Sequence, residues 1–341
     1  SGYFLVMVLS VTLSNELNND WIHLSRKILF MTAPFVAIAL YQAHIPLKYM
    51  LVGIKVGTIT IGTIVILQYL LGYGSTRLSG MFNPNTFGDL ATLLTLFSIV
   101  NVKVESYKEF SFSLVALSFG VTAIVMANSL GATLSFGILL FMYALLMHVF
   151  MPHNRMRSWI AVLVGIIAFA SIFSSIGMMQ KRIDTAQIHA QQWKEGNDSR
   201  SSVGVRLEMY TLGLEAFKDS PWIGYGYYNA NVVASRYANE DAREKIAGYS
   251  HLHNEFLTNM VSAGVIGLVA LLLLFGVPLV VFIRAFEQES TFAYAMMGVL
   301  LVIGYAVLGM THGMLEWEYE NSFFLFFLAY TMVSIIMYRE N

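Results

Sequence analysis

His251-Leu252-His253-Asn254-Glu255 closes the polar segment 179–254 and opens an apolar run to residue 283, with Gly264 and Gly267 inside it. A helix crossing a bilayer needs about 20 mostly apolar residues. The run from 255 exceeds that length, so an imidazole pair stands at the mouth of a membrane span. The segment before it is the one long polar excursion in a chain that is otherwise apolar. An ionisable side chain held at a membrane face marks the place to look for function.

Composition agrees with that reading. Of 341 residues, 57% are hydrophobic and 12% charged, and the mean hydropathy is +0.63. Soluble domains carry about 25% charged residues. The chain therefore reads as an all-α polytopic membrane protein. Ten apolar segments are long enough to propose as spans, near 3–14, 28–46, 49–72, 85–101, 109–127, 132–151, 158–178, 255–283, 292–311 and 322–338. The chain begins Ser1-Gly2 rather than Met, so the first segment reads as truncated, with further spans expected before it. The domain division is 1–178, about seven spans; 179–254, a large polar loop with helices; and 255–341, about three spans. The net charge of −1 implies no nucleic-acid partner, and without cysteine there is neither disulfide nor thiolate chemistry.

Basic residues in short loops orient the chain. Lys48, Lys103, Lys108, Arg155, Arg157, Arg284 and Arg339 fall on one side, and Arg26, Lys27 and Arg77 on the other. Seven against three places the first set, and the C-terminus, in the cytoplasm. The outer face then carries segment 179–254, loops 73–84 and 312–321, and the turn 128–131. Within the long segment, Val203, Leu207, Tyr210, Leu214 and Phe217 recur at helical spacing, and Asp219-Ser220-Pro221 stops that helix. Gly224-Tyr225-Gly226-Tyr227-Tyr228 reads as a turn, followed by a second, more polar helix over 229–246, together a cap on the outer surface.

Four constellations on that face suit chemistry. His253, with His251, Asn254 and Glu255, offers a base near neutral pKa for a hydroxyl proton, or else an interfacial anchor. Among the outer arginines Arg77, Arg182, Arg200, Arg206, Arg236 and Arg243, Arg206 stands out because it lies on the apolar-periodic helix. Guanidinium groups bind phosphates bidentately and stabilise a pyrophosphate leaving group. Arg236 and Arg243 read as solvated loop charge. Arg77 with Asn83-Pro84-Asn85 forms a turn suited to an anion, a sugar or a helix cap. His312 with Glu316, Glu318 and Glu320 is a carboxylate-rich loop fit to orient a histidine or bind hydroxyls. Lys55 lies within a span, facing the interior or snorkelling. The sequence has no HExxH, no Walker loop and no carboxylate pair at metal spacing. A reaction without metal or cofactor, on an already activated donor, is the simpler expectation.

These residues resemble the O-antigen ligase/polymerase superfamily of bacterial envelope enzymes. That family shows His-Asn/Ser/Gln, nine residues, then Gly-x-x-Gly; here His253-Asn254 precedes Gly264-Val265-Ile266-Gly267 by nine. It also carries an arginine on a loop helix before a Pro-x-x-Gly-x-Gly turn, matched by Arg206 and Pro221-Trp222-Ile223-Gly224-Tyr225-Gly226. The block around Arg77, Gly80 and Asn83-Pro84-Asn85 is similar to another shared one. Two departures stand out. Leu268-Val269-Ala270 replaces a Thr-x-Val continuation, and Leu130 in Asn128-Ser129-Leu130-Gly131-Ala132 takes the place of an arginine.

The resemblance implies a GT-C-like glycosyltransferase of the bacterial inner membrane, with its site on the periplasmic face. The donor would be undecaprenyl-pyrophosphate-linked glycan and the acceptor a sugar hydroxyl of lipid A–core, with membrane lipids around both. His253 would be the general base. Arg206 and one of Arg77, Arg182 or Arg200 would hold the pyrophosphate. A polysaccharide polymerase or a protein O-oligosaccharyltransferase would use the same residues; the single long loop and compact length favour the ligase. A transporter would need midplane charges and broken spans. Lys55 is the one clear midplane charge, and Pro278 alone among the prolines is placed well inside a span.

Overall fold

The computed structural model describes residues 2–13, 24–73, 77–101, 106–150, 163, 166, 178–195, 201–227 and 229–340. All the regular structure among them is helical: α1 Gly2–Leu13, α2 Leu29–Ala43, α3 Leu47–Leu70, α4 Pro84–Phe97, α5 Tyr107–Ala127, α6 Leu130–Phe150, α7 Met178–Lys194, α8 Ser202–Asp219, α9 Ala230–Ser235, α10 Glu240–Ala247, α11 Glu255–Ala285, α12 Phe292–Leu308 and α13 Glu318–Glu340. Short 3-10 turns occupy Ser25–Lys27 and Glu289–Thr291.

Among the described residues, six segments are long and apolar enough to cross a bilayer: α3, α5, α6, α11, α13 and α12 with the turn before it. The chain is a multi-pass helical membrane protein. Of the other expected spans, α1, α2 and α4 form shorter helices of 12, 15 and 14 residues, and 158–178 lies outside the described residues. Pro34 lies inside α2, a second proline within a helix beside Pro278 in α11.

The described residues form two compact units. The second holds residues 37–181, 278–308 and 327–341. In it α3, α4, α5, α6 and α12 pack closely where side chains are small. A Cβ on Gly120 would lie 2.2 Å from Thr95 Oγ1, and one on Gly304 would lie 2.4 Å from Leu93 Cδ2. Lys55 is buried there, its ammonium 5.5 Å from the Phe112 ring centroid.

The first unit holds residues 1–36, 182–277 and 309–326. Its α8 starts where the Ser201 hydroxyl accepts from Gly204 N–H at 2.9 Å. Val205, Met209, Leu212 and Ala216 bury one face of α8 against Val233, Ala234, Ile246, Leu252, Leu257 and Val261. The single polar helix expected over 229–246 is instead two, α9 and α10. Residues 236–239 form a turn between them, which lets Ala234, Ala238 and Ala242 all enter this core.

The apolar run from 255 is not one continuous helix. Ala263 (φ −135°, ψ 17°) and Gly264 (φ 63°, ψ −156°) break α11. The Gly264 conformation is essentially glycine-only. In an unbroken helix Val261 C=O would accept from Val265 N–H. Here Val261 C=O accepts from Tyr225 N–H at 3.0 Å, Ser262 C=O from Gly226 N–H at 2.8 Å, and Val265 N–H donates to Pro221 C=O at 2.7 Å. The 221–226 turn has entered the helix's hydrogen-bond ladder and satisfies the groups the break exposes. The approach is backbone to backbone. A Cβ on Gly264 would stand 2.3 Å from the Trp222 carbonyl, and one on Gly224 2.5 Å from the Ser262 carbonyl carbon. On the other side of α11, α1 donates from Ser10 to Ser262 C=O at 2.6 Å and from Tyr3 to Asn259 Oδ1 at 3.0 Å.

Gly264→Ala is expected to lower the detergent melting temperature by several degrees, since both the backbone conformation and the contact forbid a Cβ. Gly276→Ala, in the same helix with nothing within 4 Å of the added carbon, should melt like wild type. Equal melting of the two variants would show that the docked turn does not hold the helix.

Candidate functional site

The loop before α11 is organised by the helix it caps. Asn254 is the N-cap: its Oδ1 accepts from Leu257 N–H at 3.0 Å. Leu252 N–H donates to Thr258 Oγ1 at 3.3 Å, and Leu252 itself is fully buried. A second loop, 309–317, is pinned alongside. Glu255 N–H donates to Gly309 C=O at 2.7 Å and Asn254 Nδ2 to Met310 C=O at 3.2 Å. Between these bonds His253 adopts φ 52°, a left-handed conformation that few non-glycine residues accept.

This arrangement gathers three imidazoles. Ring centroids of His251 and His253 are 4.6 Å apart, those of His251 and His312 5.4 Å, and those of His253 and His312 6.3 Å. Tyr249 meets His253 edge-on at 5.3 Å. Gly313 makes room for the cluster, because a Cβ there would lie 2.8 Å from His251 Cδ2. His251 Nδ1 is 2.9 Å from Ser250 Oγ, while His251 Nε2 and His253 Nδ1 are buried with no hydrogen-bond partner among the described residues. Burial is the largest influence on both rings. It pushes His251 well below the usual imidazole range, with help from the other two histidines. His253 is pushed down to about 3, by burial first and then by the Arg206 and His312 charges. At neutral pH both rings are therefore neutral.

Arg206 acts on these rings from α8, the helix expected to carry it. Tyr210, one turn further along the same face, donates its hydroxyl to His253 C=O at 3.0 Å and lies 3.3 Å from Met310 C=O.

Beneath the imidazoles lies a set of buried charges. Lys27, Glu255, Glu316 and Glu320 are all at most 3% exposed. Lys27 Nζ donates to Leu315 C=O and lies 5.0 Å from the Tyr227 ring centroid. Glu255 accepts from Asn259 Nδ2 at 2.9 Å and from Leu315 N–H at 3.1 Å. His312 Nδ1 is 3.8 Å from Glu320 Oε1. Arg26 lies 3.9 Å from Glu316 and stacks over Trp317 at 4.4 Å. Burial raises the Glu316 carboxyl to about 8 despite the pull of Lys27. The same desolvation lowers Lys27, and the neighbouring carboxylates partly restore it.

His251, His253, Asn254, His312 and Glu316 are thus brought together within the first unit, beside Arg206. Gly264 and Gly267 serve the helix break, with Gly267 packed against Ala263 and the Asn259 carbonyl. Lys27, counted from the sequence as an outer-loop charge, is a buried partner of the acidic cluster. Nothing in the Arg26-Lys27 dipeptide signals this, because its partners lie near residues 255 and 316. The helical spacing of Tyr210 accounts for its ring, which packs against the core, and not for its hydroxyl, which bonds the His253 carbonyl.

In the second unit, Arg77, Asn83 and Asn85 also meet. Arg77 donates to Asn85 Oδ1 and, through Nε, to Ala127 C=O at 3.3 Å. Asn83 Oδ1 accepts from Asn85 N–H at 2.9 Å as the cap of α4. Ser129 Oγ reaches Asn85 Oδ1 at 3.3 Å, which places Arg77 beside the turn that carries Leu130. The Arg182 side chain and Arg200 lie outside the described residues.

Residues 114–272 match the family model described as O-antigen ligase. A Haemophilus influenzae protein, described as uncharacterized, is 24% identical over 318 residues, which cover 89% of this chain and 76% of that relative. From within α5 to within α11, a stretch that includes Arg206, the docked glycine turn and His253, the chain is similar to the O-antigen ligase family.

Proposed function

We propose that the protein is a metal-independent, inverting glycosyltransferase that moves a glycan from undecaprenyl pyrophosphate to a sugar hydroxyl of lipid A–core. It would do so at the periplasmic face of a bacterial inner membrane, in a GT-C-like fold of ten or more spans. The domain division 1–178, 179–254 and 255–341 is part of this proposal, with the middle segment as cap. The observation that carries the reading is a neutral imidazole, His253, held in a fixed backbone conformation beside the Arg206 charge.

His253 accepts the proton of the acceptor hydroxyl as that oxygen attacks the anomeric carbon. The carbon–oxygen bond to the pyrophosphate breaks on the opposite face, and the electron pair leaves on the phosphate oxygen. Arg206 holds that leaving group. Arg77, Arg182 and Arg200 are the candidates for a second donor arginine in place of the one replaced by Leu130. His251, His312, Asn254 and Glu316 support the base. A polymerase or a protein O-oligosaccharyltransferase would run the same chemistry with another acceptor; the single cap segment favours the ligase.

A pKa near 3 makes His253 a weak base at rest. Arg206 contributes to the depression, so a bound pyrophosphate that offsets the Arg206 charge raises the proton affinity of the ring. Donor binding thus prepares the base.

Purified protein given lipid-linked glycan with lipid A–core should place glycan on the core, resolved on a gel. His253→Ala should lower turnover by about 10²–10⁴-fold, the range for loss of a general base. Wild-type turnover would exclude it. Arg206→Ala should cost about 10²-fold or more in kcat/KM for the donor, and an unchanged value would remove Arg206 from the donor site. Glycan lengthened on its own carrier would point to a polymerase.

The pH profiles carry a further expectation. In the free enzyme His253 is neutral above about pH 3, so donor kcat/KM should stay flat on the acid side. In the donor complex the raised pKa should bring the acid limb of kcat nearer neutrality. Coincident acid limbs would show that the donor does not tune the base.

A further inference from the structure

We infer that Tyr210 is a positioning residue for transfer, tying the helix that carries Arg206 to the backbone of His253. This rests on the reading of His253 as the base. The geometry is specific. The Tyr210 hydroxyl donates to His253 C=O at 3.0 Å and stands 3.3 Å from Met310 C=O. Asn254 Nδ2 donates to the same Met310 carbonyl at 3.2 Å. One phenol therefore joins α8, the loop carrying His251 and His253, and the loop carrying His312. Burial raises the Tyr210 pKa, with Arg206 the one charge opposing it, so the group remains a donor at working pH.

The target of this bond explains its use. A left-handed φ of 52° at a non-glycine residue is strained and persists only where the surroundings fix it. Peptide orientation at residue 253 sets where the imidazole points. Asn254 fixes the following residue through the helix cap and Leu252 fixes the preceding one through burial. The carbonyl of His253 itself is held by Tyr210. Arg206 and Tyr210 are spaced i and i+4 and share one face of α8. A phosphate held by Arg206 and an imidazole aimed by Tyr210 thus hang from one rigid helical turn, which sets the distance between donor and base.

The test is Tyr210→Phe, which keeps the ring and removes the hydroxyl. Transfer kinetics, melting temperature and the ¹⁵N imidazole spectrum of histidine-labelled protein would be recorded together. Tyr237→Phe serves as the control, since its hydroxyl bonds Asp219 within the cap. The expected result is a kcat lower by about 10- to 100-fold, the cost of a small misplacement of reacting groups. Donor KM and melting should be unchanged because Arg206 and the ring packing remain. The His253 ring signals should shift, while His44 and His148 stay in place. Tyr237→Phe should match wild type in every readout. Unchanged kcat with unmoved His253 signals would overturn the role. A collapsed melting transition would also overturn it, by making Tyr210 an element of stability. Wild-type turnover in His253→Ala would instead overturn the base assignment, whatever the Tyr210 spectra show.

Discussion

A helix crossing a bilayer must satisfy its own backbone groups, and α11 does not. Its ladder opens at Ala263 and Gly264, and the freed carbonyls of Val261 and Ser262 would be costly if left unpaired. The turn over 221–226 supplies the missing donors, and Val265 gives its N–H to Pro221 in return. Three backbone bonds thus weld the end of α8 to the middle of α11. The loop that carries His251 and His253 is capped onto the same helix, α11. The weld sets the height at which α8 lies against the span, and so where Arg206 and Tyr210 meet the loop before Glu255. It also fixes the top of α11, whose cap at Asn254 and bond from Glu255 to Gly309 bring in the loop with His312 and Glu316.

The two glycine motifs, separated by nearly forty residues, are therefore one structural device. Gly224 and Gly264 each adopt positive φ, and each faces the other segment's backbone at a distance no Cβ could occupy. The fixed spacing from His253 to Gly264 has a mechanical meaning: it counts the helical turns between the cap that holds the imidazole and the point where the helix is clamped.

The buried charges form a second layer. A lone buried Lys27 would be strongly destabilising, and so would Glu255, Glu316 and Glu320 without it. Together they hold the 309–317 loop from beneath, through Leu315 from both its carbonyl and its N–H. Their desolvation raises the Glu316 pKa, while the imidazoles above are kept neutral by the same physics acting on the opposite charge type. In the proposed reaction, an anion that offsets the guanidinium raises the proton affinity of the ring beside it.

The apolar composition and segment lengths made the membrane class legible, because the bilayer imposes a length and a polarity that no tertiary contact can override. The position of His253 at the mouth of a span, the arginine on α8 and the stop at residues 219–221 were equally legible, since each is a local pattern. The break in α11 was not. A run of apolar residues containing Gly264 and Gly267 reads the same whether the helix is intact or clamped, and the clamp is formed by a turn distant in sequence. The split of 229–246 into two helices, the burial of Lys27 and the hydroxyl of Tyr210 on the His253 carbonyl were hidden for the same reason. Sequence set the elements by periodicity and solvent; tertiary structure decided which polar groups share a dry interior, because that depends on partners tens to hundreds of residues away.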